Sequence, residues 1–282
     1  MDASMTTPEP SPAELPEPGD QRDERRFVHA LARGLSILEA FDSERELGVA
    51  ELAGITAMPA TTVGRFAYTL AELGYLRQVR SGRYVPGAGF LGLSASINRN
   101  LGMQRVARPY LDALARDLDC TAIVGMHDRN AMVFLEVARP RTAIVVNTDA
   151  GSRIPILTTA MGLAYLVAAP LPERAHLLEA LRPRTPDWQQ ARERIEKAYT
   201  SYARRGFVLQ ERSASREVNA VACPLVSEHA HVVYTFMCGG PSSTTPRRLL
   251  AEEIGPRLVQ TVKAVARELE RTPLLRLPKA PL

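Results

Sequence analysis

The sequence predicts an α+β chain: an N-terminal winged helix-turn-helix, a linker helix, and a larger C-terminal domain built on an antiparallel sheet. Three observations carry this prediction. Residues Gly48–Leu76 read as a short helix, a tight turn and a longer helix closed by glycine. An arginine-rich hairpin signal follows at Arg77–Val85. In the second half, strand-like segments are grouped together with flanking helices, the order expected of an α+β domain.

The bulk numbers set the frame. The 282 residues suffice for one large domain or two ordinary ones, at ~100–200 residues per domain. A composition of 45% hydrophobic and 23% charged residues is that of a globular protein. The formal net charge of +4 permits a polyanionic partner without demanding one. The only lysines are Lys197, Lys263 and Lys279. The resulting arginine bias suits phosphate contacts, and a GC-rich genome accounts for it as well. Cys120, Cys223 and Cys238 are odd in number and have no CxxC spacing. They point to neither a zinc site nor a disulfide framework, and they fit a reducing compartment. No run of ~18 apolar residues suggests a membrane span, and the N-terminus lacks the layout of a signal peptide. A cytoplasmic protein without membrane contact is expected.

Residues 1–24 carry five prolines and seven acids and almost no apolar side chains, so they are expected to form a disordered acidic tail. Residues 25–88 form the first domain. Its opening helix carries Val28, Leu31, Leu35, Ile37, Leu38 and Phe41, and packs against the pair that follows. Asp42–Leu47 is a polar connection. In the second helix of the pair, Pro59 stands at the first helical position, where its missing N–H costs nothing, and Gly74 suits the left-handed cap. Val63, Phe66, Ala67, Leu70 and Leu73 make one apolar face. Thr61, Arg65, Tyr68 and Glu72 make the opposite, polar one. Any amphipathic pair docked on a core shows such a stripe. The layout also suits a recognition helix in a DNA groove.

Ser81-Gly82 marks the turn of the hairpin. Arg77, Arg80 and Arg83 cluster on it with no acid among them, as a wing reaching phosphates would require. The two features together favour double-stranded DNA as the partner. The DNA-contact candidates are Ala60, Thr61, Thr62, Gly64, Arg65 and Tyr68 on the helix, and Arg80, Ser81, Gly82 and Arg83 on the wing. Arg65 has the fork to read guanine O6/N7, and serves equally as a phosphate clamp. Ala60 and Gly64 are small enough for close approach.

Residues 89–108 read as a linker helix, which Pro109 should separate from the helix beyond it. A linker of this kind is a natural dimer seam, because two-fold pairs read operators. Residues 109–271 form the second domain. Strands are expected at Cys120–His127, Ala131–Ala138 and Thr142–Asn147, followed by an apolar helix from Thr158. Leu171–Arg205 should be helical with interruptions at Pro183 and Pro186. After Gly206–Leu209 a polar loop runs to Asn219, and further strands are expected near Ala220–Val226 and Val232–Cys238. His127, at a strand end, should be at the surface. A last amphipathic helix opens at Pro246 after Thr245 as N-cap, and Gly255-Pro256 should kink or break it. Residues 272–282 form a tail.

Three segments of the chain resemble the IclR family of bacterial transcription regulators over residues 26–271. The first is Val28–Phe41. The second is the helix-turn-helix, with Pro59–Arg65 and Leu73–Leu76. The third is Pro155–Gly162, followed downstream by Asn219–Leu225 and Cys238–Pro241. The resemblance implies a winged helix-turn-helix, a linker helix and a GAF-like effector-binding domain. It also implies homodimers or tetramers that bind promoter DNA, as repressors or activators, and answer to a small metabolite such as an aromatic or short organic acid. Many members carry a Glu-Glu pair and a glycine between their counterparts of Gly206 and Pro224. This sequence has Arg212-Ser213 and Glu217, which changes the charge of that loop.

The effector is expected between the start of the apolar helix and the facing strands. The candidates are Thr158, Thr159, Ala160 and Met161; Arg216 and Asn219; and Cys223, Met237, Cys238 and Gly239. Helix-start N–H groups and the two threonines suit a carboxylate, and the threonines serve equally as plain caps. Cys223 and Cys238 also fit as small buried hydrophobes. No nucleophile elbow, phosphate loop or metal-ligand spacing is present, so no enzyme, cofactor or metal is expected. The alternatives are a cysteine hydrolase using Cys223, and a regulator whose second domain only oligomerises.

Overall fold

Pro59 ends one helix pair's turn and fixes the start of the next helix, because its ring presets φ for the N-terminal end. Around it, a computed structural model describes residues 27–41, 46–93, 102–140, 148–213, 217–227 and 232–271. The tail at 1–24, the strand expected at Thr142–Asn147, Arg216, most of the linker and the 272–282 tail lie wholly or largely outside the described residues. By its contacts the chain divides near residue 99 into two units.

The N-terminal unit holds α1 (His29–Glu39), α2 (Val49–Thr56), α3 (Ala60–Glu72), β1 (Leu76–Gln78) and β2 (Tyr84–Pro86). Ala57, in the left-handed region at φ 53°, makes the turn between α2 and α3, and Pro59 is the N-cap of α3 rather than its first residue. Ile37, Leu47, Leu52, Val63, Ala67, Leu76 and Tyr84 form the core. Each large aliphatic member contributes ~1.5–3 kcal/mol by leaving water. Two expectations are corrected. Val28, Leu31 and Leu35 are exposed, because α1 turns its Ile37–Leu38 side to the pair and the other three residues fall on the far face. Leu73, the C-cap of α3, is also exposed. In addition, Leu47 is no mere connection. It exchanges backbone hydrogen bonds of 3.0 and 2.9 Å with Tyr84, adding a third short extended piece to the wing.

The wing turn is longer than a two-residue hairpin. Gly82 N–H donates to the Val79 carbonyl, and Val79 N–H to that of Arg83. Gly82 sits at φ 77°, where a side chain would be strained.

The C-terminal unit is a six-stranded antiparallel sheet of order β5-β4-β3-β8-β7-β6. Its strands are β3 (Thr121–Asp128), β4 (Ala131–Ala138), β5 (Arg153–Pro155), β6 (Val208–Gln210), β7 (Val218–Ser227) and β8 (Val232–Pro241). One face packs on α4 (Met103–Leu118) and α9 (Gly255–Arg271), through Cys120, Ala122, Val124, Val221, Cys223, Phe236 and Cys238. The other packs on α5 (Ala160–Ala168) and α7 (Trp188–Arg205), through Ile123, Phe134, Ala220, Ala222 and Met237. Helices on both faces explain why β7 and β8 read as nearly unbroken apolar runs. A further helix, α6 (Leu171–Leu181), adds Leu177 to the second face.

Three helix expectations change. Pro109 does not split its helix: α4 runs through it from Met103 to Leu118, with Met103 and Ala107 buried before it and Leu111, Leu114 and Ala115 buried after it. Gly255-Pro256 breaks nothing either. A π-turn at Leu250–Ile254, between the short α8 (Arg247–Leu249) and α9, shifts the bonding so that Gly255 N–H reaches the Leu250 carbonyl. The shift absorbs the proline, a common use of such bulges. Thr245 is not the N-cap, a place taken by Pro246 without a side-chain bond. Thr245 is instead buried, and its carbonyl accepts from Asn219 Nδ2 at 3.0 Å.

Candidate functional site

The outer face of α3 is built by helical spacing. Val63 and Ala67 are wholly buried, which turns Ala60, Thr61, Arg65, Tyr68 and Thr69 to solvent. Tyr68 is 63% exposed, a large aromatic ring with no core to pack on. Thr61, Gly64, Arg65, Tyr68 and Thr69 line one shallow open depression. Thr62 and Gly64 are half-buried beside it. Thr69, absent from the expected set, stands one helical turn beyond Arg65, and its hydroxyl donates to the Arg65 carbonyl at 2.9 Å. The i, i+4, i+8 spacing of Thr61, Arg65 and Thr69 is the signal that identifies it.

On the wing, Arg80, Ser81 and Gly82 are exposed at the tip. Arg83 is engaged elsewhere. Its guanidinium donates to the Glu46 carbonyl at 2.5 Å and pairs with Glu51 at 2.6 Å. Glu51 also accepts from Gly48 N–H, capping α2. Arg83 thus ties the wing to the first helix of the pair instead of facing outward. Arg80→Ala is therefore expected to weaken DNA binding by a similar factor on all sequences. It should lower the slope of log K against log salt by about 1, read by anisotropy across a salt series. Arg83→Ala should act through the stability of this unit instead.

In the C-terminal unit, the structure separates the expected effector residues. Met161 and Met237 lie on the α5 face of the sheet, whereas Cys223 and Cys238 lie on the α4–α9 face. Adjacent strand residues point to opposite faces, so neither cysteine borders a space beneath α5. Burial pushes the Cys223 thiol up to about 12. The neighbouring Cys120 and burial push that of Cys238 well up. None of the three thiols is expected to react with a thiol-specific disulfide reagent at pH 8 in the native protein, and all three should react in denaturant.

The start of α5 is already furnished with partners. Thr159 Oγ accepts from Gly162 N–H at 3.1 Å and donates to the Pro155 carbonyl at 2.6 Å, a cap in full use. Ala160 N–H donates to Ser213 Oγ at 2.9 Å. Thr158 is half-exposed. Asn219 holds the loop: its Oδ1 accepts from Arg212 N–H and its Nδ2 donates to Thr245. Gly239 is closed over by Asn219 and Ala220.

His127 is partly exposed, as expected at a strand end, but its ring is engaged rather than free. Its ring stacks on Tyr165 at 4.6 Å, with Nδ1 3.1 Å from the Tyr165 hydroxyl and 3.6 Å from Glu173. The Tyr165 hydroxyl donates to Glu173 at 2.6 Å, and burial together with that carboxylate raises its pKa. The trio ties α5 to β3 and α6.

A helix-turn-helix with a solvent-facing Thr–Arg–Tyr surface and an arginine-tipped wing, followed by an antiparallel-sheet unit, defines a DNA-binding transcriptional regulator. The comparisons with known proteins agree. The chain belongs to the IclR family: residues 30–80 match the IclR helix-turn-helix domain, and residues 95–271 match the bacterial transcriptional regulator IclR C-terminal domain. It is 40% identical over 281 residues to the HTH-type transcriptional regulator TsaQ1/TsaQ2 of Comamonas testosteroni, covering 98% of this chain and 99% of that one. It is 26% identical to the Pca regulon regulatory protein of Pseudomonas putida, over 86% of this chain and 83% of the other. Among solved structures, an IclR family transcriptional regulator from Brucella abortus matches with a TM-score of 0.76 and 37% identity, over 92% of this chain and 98% of that chain. An IclR homologue from Microbacterium hydrocarbonoxydans, complexed with 4-hydroxybenzoate, shares the fold at a TM-score of 0.66 and 20% identity, over 85% and 99% of the two chains. These relatives are regulators rather than enzymes. Among the described residues no helix is long and apolar enough to cross a membrane.

Proposed function

We propose that the chain controls promoters of catabolic genes, binding operator DNA as a homodimer or tetramer and releasing or engaging it in response to a small organic acid. In this reading residues 25–88 contact DNA, 89–108 link the two parts, and 109–271 bind the effector and oligomerise in the cytoplasm. The observation that carries it is the outer face of α3, where Thr61, Arg65 and Tyr68 stand in solvent above a fully buried Val63–Ala67 side. Thr61, Thr62, Arg65 and Tyr68 enter the major groove, Ala60 and Gly64 allow close approach, and Arg80, Ser81 and Gly82 meet the backbone. Thr158, Met161 and Met237 border the effector.

The test is selection of bound DNA from a random pool, followed by a mobility shift of the selected sequence with and without a panel of aromatic and short organic acids. A two-fold sequence with half-sites about one helical turn apart supports the dimer. An acid that changes the shift, and raises the melting temperature as expected of a ligand for the native state, supports the effector reading. DNA binding that no acid alters would favour a second domain that only oligomerises.

A further inference from the structure

The outer face of α3 suits a partner that brings negative charge together with something apolar to lay on a ring. Tyr68 is 63% exposed. Thr61, Gly64, Arg65 and Thr69 complete the shallow depression beside it. Gly64 adds no bulk to its floor, since a Cβ there would meet only the Val49 side chain, at 4.0 Å. Arg65 makes no ion pair with another described residue, and the one acid of α3 is Glu72 in its last turn. From Leu73 to Leu93 the sequence has no acid, and Arg77 and Arg80 are exposed.

The chain itself holds a segment of the complementary chemistry. Residues 9–24 carry six acids against one arginine, and Glu9 and Glu17 each stand between two prolines. Proline-rich segments dock on exposed aromatic rings at low entropic cost. Their carboxylates offer an arginine fork the same charge-assisted bonds that a phosphate does. The charge imbalance is large. Residues 1–24 hold seven acids and one arginine, a charge of −6 within a whole-chain charge of +4, which leaves +10 for the rest.

The segment is also tethered close by. It leads into α1, which lies directly on α3: a Cβ at Gly34 would touch the Phe66 ring at 3.7 Å. Between Pro18 and His29 a proline-rich chain spans roughly 30 Å at ~3 Å per residue. A unit of this size has a radius of gyration of about 11 Å, so Glu9–Pro18 reaches α3 without strain.

We propose that residues 9–24 lie over the outer face of α3 of the same chain in the DNA-free protein, with proline on the Tyr68 ring and glutamates on Arg65 and Arg80. Operator DNA, which adds base contacts to phosphate contacts, displaces the segment. Non-operator DNA has phosphate contacts alone and competes poorly. The docking stands on the exposed face of α3, and its competition with DNA rests on the proposed reading of that face.

A nitroxide placed on Ser11→Cys of the full chain tests the docking by magnetic resonance, because Cys120, Cys223 and Cys238 are all buried. Without DNA, the amide signals of Arg65, Tyr68 and Thr69 should broaden. They should recover when the six acids of residues 9–24 are changed to Gln or Asn. By anisotropy, that neutralised chain and a chain lacking residues 2–24 should bind a non-operator duplex at least about threefold more tightly than the wild type at low salt. The millimolar effective concentration of a tethered segment sets that scale, and the gap should close as salt rises. Absence of broadening on α3, or broadening that survives neutralisation, overturns the docking even if affinity rises, since the acids then only repel DNA from a distance. Broadening without a gain in affinity overturns the competition. When isotope-labelled chains without nitroxide are mixed with unlabelled nitroxide chains, broadened α3 signals assign the segment to a neighbouring copy and overturn the same-chain form. If no version binds any duplex, the DNA reading of α3 fails, and the docking stands or falls on the broadening alone.

Discussion

Arg65→Ala is expected to weaken binding to the selected operator tenfold or more at fixed salt, where ~1.4 kcal/mol corresponds to each factor of ten. Arg65 stands exposed on the outer face of α3, one turn from Thr61 and one from Thr69, and no ion pair with another described residue restrains its guanidinium. A bidentate contact with guanine contributes roughly 1–3 kcal/mol of discrimination against other bases. Arg65→Lys separates the two roles open to it. A lysine keeps a point charge for a phosphate but lacks the planar fork, so a base-reading arginine predicts that both variants relax sequence preference. A phosphate clamp predicts that Lys restores most of the affinity and that discrimination never changes. Binding by both variants at wild-type affinity would remove Arg65 from the interface.

The second large effect is on stability. Phe236→Ala should destabilise the C-terminal unit by about 3–5 kcal/mol, the usual range for emptying an aromatic core site. Phe236 is completely buried on β8, a central strand between β3 and β7, and faces α4 and α9 among Val124, Cys223 and Leu258. That loss is a large fraction of the ~5–15 kcal/mol by which natural domains are stable. Urea unfolding followed by circular dichroism should show the midpoint falling steeply. A shift below about 1 kcal/mol would mean that neighbouring side chains collapse into the cavity far better than such cores usually do.

The contrast between the two variants also separates the two halves of the molecule. Arg65→Ala should leave the unfolding midpoint in place, because a solvent-exposed side chain on a helix contributes little to folding. Phe236→Ala acts through packing.

The helix-turn-helix was legible in the sequence because its signals are local. The spacing of Val63, Phe66, Ala67 and Leu70 sets the buried side of α3, and Thr61, Arg65 and Tyr68 follow on the other side from the 3.6-residue period alone. The grouping of the strands announced an antiparallel sheet for the same reason, and the order and spacing of short motifs pointed to its family. What the sequence could not assign were properties set by distant partners. Whether Arg83 faces outward or inward depends on Glu46 and Glu51, more than thirty residues earlier. Which face of the sheet carries Cys223 and Cys238 depends on strand register, where a shift of one residue moves every side chain to the other side. Pro109 and Pro256 each looked like a break, and tertiary packing and a π-turn carry the helix past them.

The outer face of α3, which we propose reads DNA, is thus a consequence of sequence periodicity, since a helix displays its own outer face wherever its inner face is buried. The region beneath α5 is different. Ser213 on the first amide of α5, the bare backbone of Gly125 under Met161, and the buried hydroxyl of Thr235 come together only because two strands and a loop converge beneath one helix. That convergence is a matter of long-range register, which no local pattern encodes.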